Sequence, residues 1–136
     1  MTILQGGCQC GAVRYQISGD LMGSGVCHCR QCQYSTGGGP NSVALVPKDG
    51  FTVTQGEPRH YARKGSSGGD VVQVFCGECG SPLWSETTML PFYPVKAGSL
   101  DDPSILEPAI HLWTSEAQPW HRIEPGRMAF PENPPR

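Results

Sequence analysis

Seven cysteines stand in three short groups along this chain of 136 residues. The groups are Cys8-Gln9-Cys10, then Cys27, Cys29 and Cys32, and finally Cys76-Gly77-Glu78-Cys79. Thiolates spaced two or three residues apart can bind one soft cation such as Zn²⁺ together. Seven cysteines are too many for one tetrahedral site and one too few for two. The count therefore predicts a closed site of four cysteines, as in structural zinc, and an open site of three, as in catalytic zinc.

Disulfide bonds are the main alternative use of these cysteines. The N-terminus has no basic segment and no apolar stretch as long as a signal peptide, which predicts a reducing, cytoplasmic location. An odd number of cysteines also cannot pair completely. Cys8 and Cys10 are too close in sequence for an unstrained bridge. We therefore expect metal ligands.

Charge and hydropathy exclude several classes of protein. The net charge is −2 and no run of Lys or Arg is present, so a nucleic-acid partner is not expected. The apolar runs are much shorter than a membrane-spanning helix, so no membrane partner is expected either. With 38% hydrophobic and 16% charged residues, we expect one globular domain over residues 1–136.

The rest of the chain has the pattern of short strands separated by turns. Apolar or alternating segments lie between 18 Gly and 13 Pro, and no helical stripe extends over ten residues. The strands are predicted at 12–17, 42–46, 51–54, 60–63, 71–75, 83–86, 93–97 and 109–113. This pattern predicts an all-β fold. We expect the glycine-rich segments 35–40 and 65–69 to be flexible turns or site-lining loops, and the proline-rich tail 130–136 to be loose.

The spacing alone permits two groupings of the cysteines. The Cys-x-x-Cys units 29/32 and 76/79 could share one site, as in a zinc ribbon. Alternatively, Cys8 and Cys10 could join the 76/79 unit and leave the middle group as a separate site.

The residues that follow each group favour the second arrangement. Gly11 and Gly80 come directly after the last cysteine of the first and third groups, whereas Gln33 follows the middle group. A metal-binding knuckle often needs positive φ at this position so that backbone N–H groups turn toward the sulfur, and glycine adopts it without steric cost. The middle group therefore has the features of a different kind of site.

The histidines are expected to play minor roles. In an extended Cys27-His28-Cys29 segment the two sulfurs point to one side and His28 to the other. A turn through residues 30–31 can then return Cys32 to the same ion. We expect His28 to be a surface residue or a residue beside the site rather than a ligand. His60, His111 and His121 are isolated in sequence and are expected to be structural or exposed.

Taken together, these motifs resemble the glutathione-dependent formaldehyde-activating enzyme family, also called the centromere protein V/GFA domain. The stretches that carry the resemblance are Gly7–Tyr15, Cys27–Cys32, Phe75–Leu83, Gly98–Pro103, Ile110–Trp113 and Pro119-Trp120. They extend over nearly the whole chain. One Cys-x-x-Cys unit alone is a weak signal, but this order and spacing of cysteines are specific in combination.

The resemblance implies a β-tent domain of short antiparallel strands that is stabilised by zinc. It implies a structural zinc that is bound by Cys8, Cys10, Cys76 and Cys79. It also implies a second, labile and catalytic zinc that is bound by Cys27, Cys29 and Cys32. The implied reaction joins glutathione and formaldehyde to give S-hydroxymethylglutathione, and the reverse step is that of a carbon–sulfur lyase. The implied partners are a small thiol such as glutathione and a small aldehyde. One departure is Gln73, which stands where relatives often carry a basic residue that could pair with a carboxylate of glutathione.

Two other functions remain open at this point. A non-catalytic, zinc-stabilised binding module could use Trp84, Trp113 and Trp120 as a contact surface, although we expect at least two of them to be buried. A thiol redox or metal-handling protein could use the middle cysteines. For the enzyme, we expect backbone N–H groups of residues 37–39 to bind substrate carboxylates or a developing oxyanion.

Overall fold

The computed structural model describes residues 2–65 and 68–134, which form two β-sheets and one short α-helix, α1 (Arg30–Thr36). The strands are β1 (Ile3–Gly7), β2 (Arg14–Ser18), β3 (Gly23–Cys27), β4 (Asn41–Pro47), β5 (Phe51–Gln55), β6 (Arg59–Lys64), β7 (Asp70–Phe75), β8 (Pro82–Glu86), β9 (Phe92–Lys96), β10 (Ile110–Leu112) and β11 (Met128–Ala129). The smaller sheet has the order β1-β2-β5 and the larger has the order β11-β10-β3-β4-β9-β8-β7-β6. The predicted all-β fold is confirmed.

Each predicted strand has a counterpart in the structure, whereas β1, β3 and β11 were not predicted. Two glycines in β1 and two in β3 weaken the strand pattern of the sequence. Glycine is needed in these strands because other groups approach the backbone closely. A Cβ at Gly6 would overlap the Tyr15 ring, and one at Gly25 would lie 2.9 Å from Cγ2 of Ile110.

The strand directions correct the expectation of a purely antiparallel fold. Strand β10 pairs in parallel with both β3 and β11, while the other pairings are antiparallel. The parallel register places His111 opposite Val26 and Leu112 opposite Cys27. The distant end of the chain is thereby brought beside the middle cysteine group.

The core lies between the two sheets. Tyr15 of β2 packs against Phe51 and Trp84, with ring centroids 5.1 Å and 6.2 Å away. Of the three tryptophans, Trp84 is buried, Trp113 is half-buried and Trp120 is exposed. The expectation that at least two would be buried is therefore wrong.

The tail is attached further than its proline content suggested. Phe130 N–H donates to His111 O at 2.9 Å, and Trp113 N–H donates to Glu132 O at 3.2 Å. The Trp113 indole N–H donates to Asn133 Oδ1 at 2.9 Å. Proline lacks an N–H donor but its carbonyl still accepts, so this segment can pair as far as residue 133. The predicted loose tail is corrected for residues 130–133, and residues 135–136 lie outside the described part.

Part of the second glycine-rich segment also lies outside the described residues, namely positions 66 and 67. Its ends are close together, because Gly65 N–H donates to Gly69 O at 2.8 Å. Within the described residues, no helix has the length and apolarity needed to cross a membrane.

Candidate metal centres

The first and third cysteine groups meet at one point of the fold. All four sulfurs, from Cys8, Cys10, Cys76 and Cys79, lie within 4.8 Å of one another. The Sγ atoms of Cys8 and Cys10 are 3.6 Å apart, and those of Cys10 and Cys76 are 3.8 Å apart. Cys8 and Cys10 belong to the β1–β2 connection of the small sheet, whereas Cys76 and Cys79 belong to the β7–β8 connection of the large sheet. An ion held here would join the two sheets.

The backbone around this group has the conformation that the glycines predicted. Gly11 has φ 81° and Gly80 has φ 78°, and a Cβ at either position would meet no atom within 4 Å. The requirement for glycine is therefore conformational rather than steric. Val13 N–H donates to the Cys8 sulfur at 3.2 Å, and Glu78 N–H donates to the Cys76 sulfur at 3.4 Å. Such donors stabilise thiolates, the form in which cysteine binds a metal.

The middle cysteines form a second and separate group. The sulfurs of Cys27, Cys29 and Cys32 lie within 4.8 Å of one another. Cys27 ends β3, Cys29 is the N-cap of α1, and Cys32 lies in the first turn of that helix. The predicted turn through residues 30–31 is thus the start of a helix. Its length of seven residues explains why the sequence showed no helical stripe.

The electrostatics of the middle group favour a bound cation. The pKa of the Cys29 thiol is lowered because its sulfur accepts from Cys27 and Cys32 and from backbone N–H groups. The pKa of the Cys27 thiol is raised because it donates to its two neighbours and is partly buried. Three adjacent sulfurs cannot all be thiolates without a compensating positive charge. Either cysteine group could therefore hold a metal ion.

The two groups differ in exposure. Cys27, Cys29 and Cys32 are all half-buried, whereas Cys10 and Cys79 of the four-cysteine group are exposed. Access to the middle group is therefore restricted by its surroundings.

Two polar residues that sequence reasoning missed lie beside the middle group. Asn41 at the start of β4 is buried, and its Nδ2 donates to the Cys32 sulfur at 3.4 Å. Lys96 at the end of β9 donates from Nζ to Asn41 Oδ1 at 2.8 Å and to Ser35 Oγ at 3.0 Å. Burial lowers the pKa of Lys96, while the nearby cysteines oppose this shift. No spacing or motif in the sequence connects these residues with the cysteines.

A cleft of about 800 Å³ lies beside Cys8 of the four-cysteine group. Its lining includes Cys8, Gln9, Ser35, Thr36, Asn41 and Lys96. On its wall the Arg14 guanidinium makes a two-point ion pair with Asp101, at 2.9 and 2.5 Å. The cleft surface is about half polar, and through Asn41 and Lys96 the cleft adjoins the middle group.

Three histidines form a buried hydrogen-bonded chain that the sequence did not predict. His28 is fully buried, and its ring nitrogens lie 2.9 Å from Nδ1 of His111 and 3.0 Å from Nδ1 of His121. Of the two positions expected for His28, at the surface or beside the site, the structure has the second, and the group of three sulfurs does not include it. His111 and His121, although isolated in sequence, are buried structural residues, and His60 is exposed on β6, so each is structural or exposed as expected. His111 and His121 lie 83 and 93 residues from His28 in sequence, so only folding brings the three together.

One carbonyl fixes the proton positions along this histidine chain. His121 Nε2 lies 2.9 Å from Gly38 O, which can only accept, so Nε2 carries the proton. With neutral rings, His121 Nδ1 then accepts from His28 Nδ1, and His28 Nε2 accepts from His111 Nδ1. Burial first, and then the neighbouring imidazoles, lower the pKa of His28 to about 4. The hydrogen bonds to His111 and His121 thus hold His28, and with it the backbone between Cys27 and Cys29, in a single orientation.

The glycine-rich loop after α1 is pinned rather than open. Gly37 and Gly38 both direct their N–H groups at Gln33 O, which completes the C-terminal end of the helix. Gly38 O accepts from Trp120 Nε1 at 3.0 Å as well as from His121. The expectation that N–H groups of this loop bind a substrate anion is therefore wrong for Gly37 and Gly38.

Comparison with known proteins identifies the family of this chain. Residues 3–116 match the family described as "Glutathione-dependent formaldehyde-activating enzyme", or GFA. The chain belongs to the GFA family. The matched region contains both cysteine groups, and of the histidine chain it contains His28 and His111 but not His121.

Two individual proteins are similar to this GFA chain. A Halomonas elongata protein named "Putative glutathione-dependent formaldehyde-activating enzyme" is 27% identical over 128 residues, which cover 90% of this chain and 82% of that protein. A crystal structure of a Rhodobacter sphaeroides protein superposes with a TM-score of 0.55 at 20% identity, over 71% of this chain and 87% of the other. The second likeness is one of fold alone.

Proposed function

We propose that this GFA-family protein is a zinc-dependent enzyme that joins a small thiol to a small aldehyde, and that glutathione and formaldehyde are its substrates. The observation that carries the proposal is the middle group, in which three sulfurs converge and no fourth His, Cys, Asp or Glu of the described residues joins them. Three protein ligands and one open position form the arrangement of a catalytic zinc. The family match and the name of the Halomonas relative support the same chemistry.

The four-cysteine group is proposed to hold a structural zinc. A tetrahedron with Zn–S bonds of about 2.3 Å has S···S edges of about 3.8 Å. The S···S separations of 3.6 and 3.8 Å in the structure fit such a tetrahedron, and they are far longer than a disulfide bond. A structural zinc in a small domain contributes on the order of 10 kcal/mol to folding.

Each residue of the middle site then has a defined task. Zinc at this position would supply a positive charge that favours the thiolate form of an incoming thiol. Cys27, Cys29 and Cys32 would hold the ion, and Asn41 would orient the Cys32 sulfur through its N–H donor. The cleft would admit the thiol from the side of Asn41.

The proposed reaction balances without a further reactant. The substrate sulfur forms a bond to the carbonyl carbon of the aldehyde, and the carbonyl π electrons move to the oxygen. That oxygen takes up a proton from water in place of the one that the thiol released, which gives a hemithioacetal. The reverse direction breaks the same carbon–sulfur bond, and this step defines the carbon–sulfur lyase activity.

The test is the replacement Cys29→Ser, with Gln31→Ala as a matched control. Gln31 is exposed and lies between two of the cysteines. The rate of S-hydroxymethylglutathione formation is measured by NMR exchange between glutathione and formaldehyde. We expect Cys29→Ser to abolish the rate enhancement while circular dichroism shows an intact fold, and Gln31→Ala to retain it. Full activity of a folded Cys29→Ser protein would contradict the proposal.

One observation favours a second candidate, a zinc-stabilised binding module. Trp120 is 63% exposed and Tyr34 on α1 is 77% exposed. Large exposed aromatic side chains are frequent at protein interfaces. This candidate, or that of a thiol redox or metal-handling protein, would be preferred if the wild-type protein accelerates no thiol–aldehyde pair. Each of the three functions suits the cytoplasm, because its reducing environment keeps thiols free to bind metal.

A further inference from the structure

The cleft contains a lysine without a carboxylate partner among residues 2–65 and 68–134. The acceptors of the Lys96 ammonium, Ser35 Oγ and Asn41 Oδ1, are both uncharged. An ammonium group has three N–H donors, so one remains for a further acceptor. Lys96 lines the cleft, where that donor can meet a bound molecule.

The remaining charged residues of the cleft lining compensate each other. Arg14 and Asp101 form their two-point ion pair, so neither offers a full charge to a ligand. A partly buried ammonium without a direct ion-pair partner is unfavourable, because burial removes it from water and the nearby middle cysteines compensate its charge only in part. An anionic ligand would supply the missing partner.

The position of Lys96 also sets the spacing of the groups on the ligand. Asn41 bridges Lys96 and the middle cysteines, since its Oδ1 accepts from Lys96 Nζ and its Nδ2 donates to the Cys32 sulfur. The ammonium is therefore one amide group away from the middle cysteines. A ligand that reaches both would carry its sulfur and its anionic group about one to two residue lengths apart, or about 3.5–7 Å.

We propose that Lys96 binds a carboxylate of the thiol substrate, so that the cleft selects small thiols that carry a carboxylate. The proposal rests on the proposed function, because it names the class of thiol used at the same site. Glutathione fits, since its thiol and its glycine carboxylate belong to adjacent residues. Gln73 stands at the position where relatives often carry a basic residue. It lies on β7 and is not among the residues that line this cleft. The charge is supplied from β9 instead.

A comparison of two ligands tests the proposal on the unaltered, zinc-loaded chain. S-methylglutathione retains both carboxylates but cannot add to an aldehyde, and its diethyl ester lacks both negative charges. Isothermal titration calorimetry measures the Kd of each. A charge-assisted hydrogen bond supports about a 10- to 100-fold difference, so we expect the ester to bind that much more weakly. Equal affinities, or no binding of either ligand, would overturn the proposal.

A pair of variants identifies the residue responsible. Lys96→Met should remove the discrimination between acid and ester. Lys48→Met is the matched control, because Lys48 is also half-buried and hydrogen-bonded, to Thr87 O at 2.9 Å, but does not line the cleft. It should retain the discrimination. If Lys96→Met weakens both ligands equally, Lys96 has only a packing role and the proposal fails; if Lys96→Met does not fold, the comparison on the wild type decides.

Rate measurements separate this proposal from the proposed function. Acceleration of formaldehyde addition to both glutathione and the neutral 2-mercaptoethanol, without any acid–ester discrimination in binding, would leave the enzyme proposal standing and refute the carboxylate site. Discrimination in binding without acceleration of any thiol would support the carboxylate site and refute the enzyme.

Discussion

Replacing Tyr15 with Phe should reverse the order of stability of the two proteins as the pH rises. Tyr15 is 1% exposed, and its Oη lies 2.6 Å from Ser99 Oγ. The Ser99 hydroxyl donates its own proton to Lys96 O at 2.8 Å, so Tyr15 is the donor of the first bond. When the Tyr15 hydroxyl is removed, Ser99 keeps its hydrogen bond to Lys96 O. Near pH 8 we therefore expect the variant to be less stable by about 1 kcal/mol.

At alkaline pH the ionisation of Tyr15 lowers the stability of the wild type relative to the variant. Burial raises the pKa of Tyr15 to about 12 in the folded protein, from its ordinary value of 10.0. The folded state thus retains the proton that the unfolded state releases. This contribution to stability is complete below pH 10 and is lost as the pH rises toward 12. At pH 11 the loss is about 1.4 kcal/mol, which exceeds the hydrogen bond and makes the wild type the less stable protein.

Urea denaturation followed by tryptophan fluorescence at pH 8, 10 and 11 gives the free energy of unfolding of both proteins. Ionisations that the two proteins share cancel in the difference between them. Ser99→Ala is the control, because it removes the hydrogen bond but leaves the tyrosine to titrate. A difference between wild type and Tyr15→Phe that stays constant from pH 8 to pH 11 would refute the reasoning.

Three further predictions concern the histidines, a glycine and the metal. Correlation of ring ¹⁵N and ¹H shifts at pH 7.5 should place the protons of His28 and His111 on Nδ1 and that of His121 on Nε2; a different pattern would contradict the hydrogen-bond chain. Gly6→Ala should reduce the free energy of unfolding by about 1–3 kcal/mol, because the added Cβ overlaps Tyr15, and an unchanged urea midpoint would show that the strands adjust. Chelation by EDTA should lower the melting temperature, since the four-cysteine site joins the two sheets, and added zinc should restore it. A melting temperature that does not respond to EDTA would argue against that site.

The positions of most strands and the grouping of the cysteines could be predicted because both depend on local signals. Alternating residues identify a strand such as β2, and a glycine with positive φ marks each knuckle of the four-cysteine group. Strands β1 and β3 escaped prediction because Gly6 and Gly25 yield space to distant side chains, a requirement that is invisible locally. The short helix α1 is stabilised largely by contacts such as the buried Gln33 side chain, whose amide donates to His28 O at 2.8 Å.

The polar surroundings of the middle cysteines could not be predicted for a similar reason. His28 meets His111 only because β10 returns in parallel beside β3, and the sequence carries no signal for that crossover. Lys96 reads as an ordinary residue at the end of a strand, although β9 places it against Asn41 at the edge of the cleft. The candidate metal ligands were identifiable from their spacing, whereas the residues that surround them depend on the topology of the sheet.

The central claim is that the three middle cysteines hold the ion that promotes thiol–aldehyde addition. The most direct measurement titrates metal-free protein with zinc while recording the rate of S-hydroxymethylglutathione formation at each ratio. The four-cysteine site should fill first because it offers one more thiolate, so the rate should stay at the uncatalysed level up to one equivalent and then rise until the second is bound. Full rate enhancement at one equivalent, or no enhancement at two, would contradict the division between the two sites.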